Sequence, residues 1–147
     1  MTDPGGTSGA APSYADVQSV TFIDTGSGVR VLVDVGAPFP AFKEREVLGV
    51  GVDMYRKDER ESDYQLFADG GINGWTGYLQ TPDGFVRYPG TFAVGSRRVM
   101  FEVPWSSVGG KRSFRFSTFL DWSSRDTLLP QAGGDAAPDS GTVEVNL

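Results

Sequence analysis

The chain has 147 residues, of which 39% are hydrophobic and 12% aromatic, enough for one domain with a substantial core and too apolar for wholesale disorder. Its net charge is −6, and its basic residues are scattered or in short pairs such as Arg97-Arg98 and Lys111-Arg112, which disfavours tracking of a phosphate backbone. It has no cysteine and no histidine. That excludes disulfides, thiol nucleophiles, histidine general bases, the usual zinc sites and histidine-ligated haem, and leaves carboxylate, hydroxyl, lysine and tyrosine chemistry with oxygen-coordinated hard cations.

In chain order, residues 1–14 (MTDPGGTSGAAPSY) are rich in Gly, Ser, Pro and Thr and read as a flexible leader or linker without the features of a signal peptide. A single domain is expected over 15–147. Val20-Thr21-Phe22-Ile23 and Val29-Arg30-Val31-Leu32-Val33-Asp34-Val35 flank Thr25-Gly26-Ser27-Gly28 and predict a hairpin, with the odd-numbered valines sharing one face. In Val47–Tyr55, Leu48, Val50, Val52 and Met54 share a face. Gly49 and Gly51 lie on the opposite one, where side chains from above need room. Arg56–Ser62 is a mixed-charge loop, and Asp63–Phe67 resumes the strand pattern.

Asp69–Gly74 turns the chain into Trp75–Gln80, and Thr81-Pro82-Asp83-Gly84 is a tight turn before Phe85–Tyr88. Thr91–Val94 and Val99–Val103 form another hairpin around Gly95-Ser96-Arg97. Pro104–Gly110 is the one helical fragment, about a turn long and ended by glycine. Ser113–Trp122 alternates, with Phe114, Phe116, Thr118, Leu120 and Trp122 on one side. Asp135–Gly141 reads as a loop before a last strand, Thr142–Leu147. The 20 glycines and 9 prolines suit many turns, and the whole predicts an all-β fold: a two-sheet antiparallel, jelly-roll-like sandwich of about ten strands.

The order of DVQSVTF, GVRVLVDV, VGVD, SDYQLF, RVMFEVPWSSVGG, SFRFSTFLDW and DAAPDSGTVEVNL resembles the DOMON-like superfamily of bacterial β-sandwiches, which includes family 9 carbohydrate-binding modules and haem- or sugar-binding domains. The points of similarity are the Asp-Tyr entering a middle strand, the Glu-Val-Pro-Trp-Ser-Ser-Val-Gly turn and the Pro-Asp-Ser-Gly loop, over roughly 15–147. The resemblance implies part of a longer, exported or cell-surface protein, with calcium held between loop and sheet in some members. Haem-binding members use methionine and histidine ligands. Met54 and Met100 exist here but no histidine does, so neither haem nor, without a strand–loop–helix cradle, a nucleotide is expected.

Trp105 reads as a core residue. Trp75 and Trp122 stand at strand ends beside loops, where aromatics form stacking platforms for sugar rings, with Tyr78, Gln80 and Arg125 as neighbours that contact and orient a ligand. Asp135 and Asp139 have no adjacent base, and their carboxylates with loop carbonyls suit Ca²⁺. No paired carboxylates of a glycosidase stand on one strand, and a non-catalytic module is expected, without nucleic-acid partners or membrane insertion. Two functions remain open: a binding module for carbohydrate or cell-envelope polymer, or a structural or protein-interaction domain without a small ligand. Exposed, clustered Trp75, Tyr78 and Trp122 favour the first, and their burial favours the second.

Overall fold

In the computed structural model of the chain, described over residues 8–9, 12–55, 62–124, 131–138 and 141–147, twelve strands form two antiparallel sheets that pack face to face. The strands are β1 (Ser8–Gly9), β2 (Val17–Asp24), β3 (Gly28–Val35), β4 (Glu46–Tyr55), β5 (Tyr64–Gly71), β6 (Gly74–Thr81), β7 (Gly84–Arg87), β8 (Thr91–Val94), β9 (Arg98–Pro104), β10 (Ser113–Ser124), β11 (Gln131–Ala137) and β12 (Val143–Asn146). The small sheet has the order β2-β3-β9-β8. The large one has the order β1-β11-β10-β4-β5-β6-β7, with β12 sharing the β11 edge of β10. The all-β two-sheet expectation holds.

Two strands were not legible in the chain. β11 is Gln-Ala-Gly-Gly-Asp-Ala-Ala, poor in β-formers, and its Asp135–Ala137 portion falls where a loop is expected. The long edge of β10 supplies what the local sequence lacks: β11 pairs with it from Thr118↔Ala137 to Ser124↔Gln131. Small residues suit the site. A Cβ on Gly134 would stand 2.1 Å from the Leu120 carbonyl oxygen. β1 pairs with β11 in turn, at Ser8↔Gly134 and Gly9↔Gly133, within the segment read as a leader.

The core is the interdigitation of the two inner faces. Val29, Val31, Val33 and Val35 of β3, with Val99, Phe101 and Val103 of β9, meet Leu48, Val50, Val52 and Met54 of β4 and Phe114, Phe116 and Leu120 of β10, all buried. The period of two in the sequence places them there, because each strand presents alternate residues to one side. Phe22 of β2 bridges the sheets, packing edge-on against Phe114 and Phe116 with centroids 5.4 and 4.5 Å away.

Trp105 opens a four-residue 3₁₀ turn, Trp105–Val108, closed by Gly109 with φ +79°. Its indole is 6% exposed. Its N–H donates to the Asp24 carboxylate at 3.2 Å, and Arg112 pairs with the same carboxylate at 3.1 Å. Both outer faces are then free to differ, and they do.

Candidate functional site

The outer face of the small sheet is a charge-paired surface. Arg30 of β3 meets Glu102 of β9 at 2.7 Å, and Arg98 of β9 meets Asp34 of β3 through two bonds of 2.6 and 3.0 Å. Cross-strand pairs of opposite charge on adjacent strands satisfy each other and offer a ligand little.

The outer face of the large sheet is built otherwise. Strand register sets Phe119 of β10 beside Gly51 of β4, Gly51 beside Phe67 of β5, Phe67 beside Tyr78 of β6, and Tyr78 beside Arg87 of β7. One straight row therefore crosses five strands, about 19 Å at the usual strand spacing. The Phe67 and Phe119 rings are inclined by 25° with centroids 6.1 Å apart, and the Phe67 and Tyr78 rings by 31° at 6.2 Å. The glycines make this possible. A Cβ on Gly51 would lie 2.1 Å from the Phe119 ring and one on Gly49 would lie 2.9 Å from the Phe67 ring, so both rings settle onto bare backbone.

Polar rows flank the rings. On one side stand Ser117, Asp53, Gln65 and Gln80, ending at Phe85, which is 69% exposed. Gln65 donates its side-chain amide to Asp53 at 2.7 Å. On the other side stand Asp121, Gly49, Asp69 and Thr76. Burial raises the carboxyl of Asp69 above its ordinary value. Burial also raises Asp53, against hydrogen bonds from Gln65 and Ser62 and with help from the charge of Asp121. Tyr78 is exposed and Phe67 and Phe119 are half-buried; rings at a sheet surface beside carboxylates and amides can stack on an apolar ligand face and hydrogen-bond its rim.

The sequence-predicted residues divide between the two faces. Tyr78, 39% exposed, lies in the ring row and Gln80 beside it. Trp75 points the other way: it is half-buried, its indole covers Gly70 (2.6 Å from a Cβ there), and Phe39 and Phe42 pack on it at 5.1 and 5.7 Å. Trp122 is also inward, 8% exposed, and its N–H donates to Glu46 at 3.0 Å. The exposed cluster of Trp75, Tyr78 and Trp122 therefore does not form. Residues an odd number apart on one strand, as Trp75 and Tyr78 are, face opposite sides.

Glu46 gathers three donors: the Trp122 indole, the Lys43 backbone N–H at 3.0 Å and the Tyr14 hydroxyl. Burial pushes its carboxyl up, but the hydrogen bond from Tyr14, then those from Lys43 and Trp122, hold it below its ordinary range. Tyr14, at the end of the segment read as a leader, is thus tied to the core, its phenol raised first by burial and then by Glu46.

Asp135 is 8% exposed, and its Oδ2 accepts the Val17 N–H at 2.7 Å, joining β11 to β2. Arg125 and Asp139 lie outside the described residues. Among the described residues no three His, Cys, Asp or Glu side chains converge as a metal site, and no helix is long and apolar enough to cross a membrane. Phe67 and Phe119 are the site residues that sequence reasoning passed over. Each is the aromatic that falls out of phase with the core face of its own strand, opposite a glycine on β4, and that is the signal that finds them.

Comparison of the chain with protein-family models, with curated proteins and with solved structures finds no match.

Proposed function

We propose that this domain is a non-catalytic module that binds an extended carbohydrate or cell-envelope polymer along the outer face of its large sheet. One observation carries the proposal: Phe119, Phe67 and Tyr78 form a row of rings inclined by 25° and 31° along one register line of the large sheet, with Phe119 and Phe67 half-buried on a glycine floor and Tyr78 exposed. Pyranose rings present an apolar C–H face, and aromatic rings contact it with few rotatable bonds to freeze. Gln80 and Gln65 stand one row away, placed to hydrogen-bond hydroxyls at the ligand's edge. Resemblance to DOMON-like sandwiches and an extracellular setting, where such polymers are met, belong to the same proposal, and the two-sheet fold is of the kind the resemblance implies.

The test is calorimetric titration with soluble glycans and pull-down on insoluble ones, for the wild type and for Tyr78→Ala and Phe119→Ala. Saturable binding that both substitutions abolish, at unchanged melting temperature, is the expected result. The alternative, a protein-interaction domain without a small ligand, is favoured by the burial of Trp75 and Trp122. It predicts no glycan binding by any form.

A further inference from the structure

Acidic groups border Phe67 and Phe119, and the one basic residue in the row, Arg87, stands beside Tyr78 at its far end. Asp69 and Asp121 flank Gly49 in one row, two strands and so about 10 Å apart. Neither has a hydrogen bond or ion pair among the described residues, whereas Asp34 and Glu102 on the opposite outer face are paired with arginines. Asp53 adds a third carboxylate across the ring row, and Arg87 of β7 lies three strands from Gly49, the midpoint between Asp69 and Asp121. The chain as a whole carries −6, so its long-range field has the same sign as this face.

Resting on the polymer-binding proposal, we infer that the face selects glycans bearing protonated amines, that is, polymers of unacetylated amino sugars, over neutral glycans, and rejects polyuronates. A ring stacked on Phe67 and Phe119 brings its substituents over Asp69 and Asp121. A protonated amine there meets a carboxylate that has no partner to displace among the described residues, while an N-acetyl or hydroxyl group gains only a weaker hydrogen bond. A uronate places like charges together, which costs affinity.

The experiment compares hexamers of β-1,4-linked glucosamine, N-acetylglucosamine and glucose with hexagalacturonate, titrated into the full chain at pH 6 in low salt. The glucosamine hexamer is expected to bind about tenfold more tightly than the two neutral ones, and hexagalacturonate not to bind. The preference is expected to fall toward unity by about 0.5 M salt. Asp69→Asn with Asp121→Asn is expected to erase the preference, and a melting temperature no lower than that of the wild type shows that the fold is kept. Equal affinity for amine-bearing and neutral hexamers overturns the charge selectivity and leaves the polymer-binding proposal standing, as does tighter binding of the uronate. Binding of none of the four overturns both.

Discussion

The ring of Phe119 occupies the space that a Cβ on Gly51 would fill, 2.1 Å from that position. Ring and glycine belong to neighbouring strands paired in register, so the flatness of the outer face is written jointly in two segments far apart in sequence. Gly51→Ala is expected to lift the ring. Because the ring lies at the sheet surface it can swing away, so stability changes by about 1 kcal/mol or less. Glycan affinity falls at least about tenfold as the contact is lost. Chemical denaturation beside calorimetric titration checks the pair of effects. A large stability loss with affinity retained contradicts it.

Trp122 should behave in the opposite way. Its indole is 8% exposed in the core, and its N–H donates to Glu46. Trp122→Ala is expected to cost about 3–5 kcal/mol, part of it from a carboxylate left with one donor fewer. Tyr78→Ala, at an exposed position, stays within about 0.5 kcal/mol of wild type. Unfolding midpoints in urea compare the two.

A buried hydroxyl offers a stabilising change. Thr118 is fully buried on the inner face of β10, and its Oγ1 has no hydrogen-bond partner among the described residues. Thr118→Val keeps the shape and removes the desolvated polar group, and is expected to stabilise the domain by about 1 kcal/mol. A loss of stability would show that the hydroxyl is satisfied.

Two carboxylates should respond to pH with opposite signs. The hydrogen bonds from Arg98, opposed by burial and helped by Ser19, hold Asp34 below its ordinary 3.8. Its stabilisation is therefore present above pH 3.8 and lost as pH falls through the lower folded value. Asp34→Asn is expected to lower the melting temperature at pH 7, through a stability loss of about 1 kcal/mol at most for a partly exposed pair, with the difference fading well below pH 3.8. Burial raises Asp69 above 3.8, so the fold is favoured below pH 3.8 and the benefit is lost as pH rises through the higher folded value. Asp69→Asn is expected to raise the melting temperature at pH 7 by about 1–2 °C after solvent screening. That gain vanishes at pH 3. Thermal melts of the three proteins between pH 3 and 7 separate the effects.

Fold class and hairpins were legible because they are local. Alternating valines in Val29–Val35 and the Thr81–Gly84 turn each act over a few residues, and the structure keeps both. β11 was not, since its strand character comes from the edge of β10 rather than from Gly-Gly-Asp-Ala-Ala. For the site, the room left by Gly49 and Gly51 is readable from β4 alone, but what fills it comes from Phe67 and Phe119 on the strands either side. Trp75 and Trp122 read as a stacking platform because each stands at a strand end beside a loop. Yet their phase with Leu79 and Leu120, two core residues, places them inside.

The most direct measurement is a two-dimensional amide NMR titration of the isotope-labelled domain with the tightest glycan found. The account predicts that shift changes concentrate on Gly49, Gly51, Phe67, Tyr78, Gln80 and Phe119, and leave Arg30, Met100 and Glu102 on the opposite outer face unmoved. Changes centred on the small sheet or on the Trp105 turn, with the ring row silent, would contradict it.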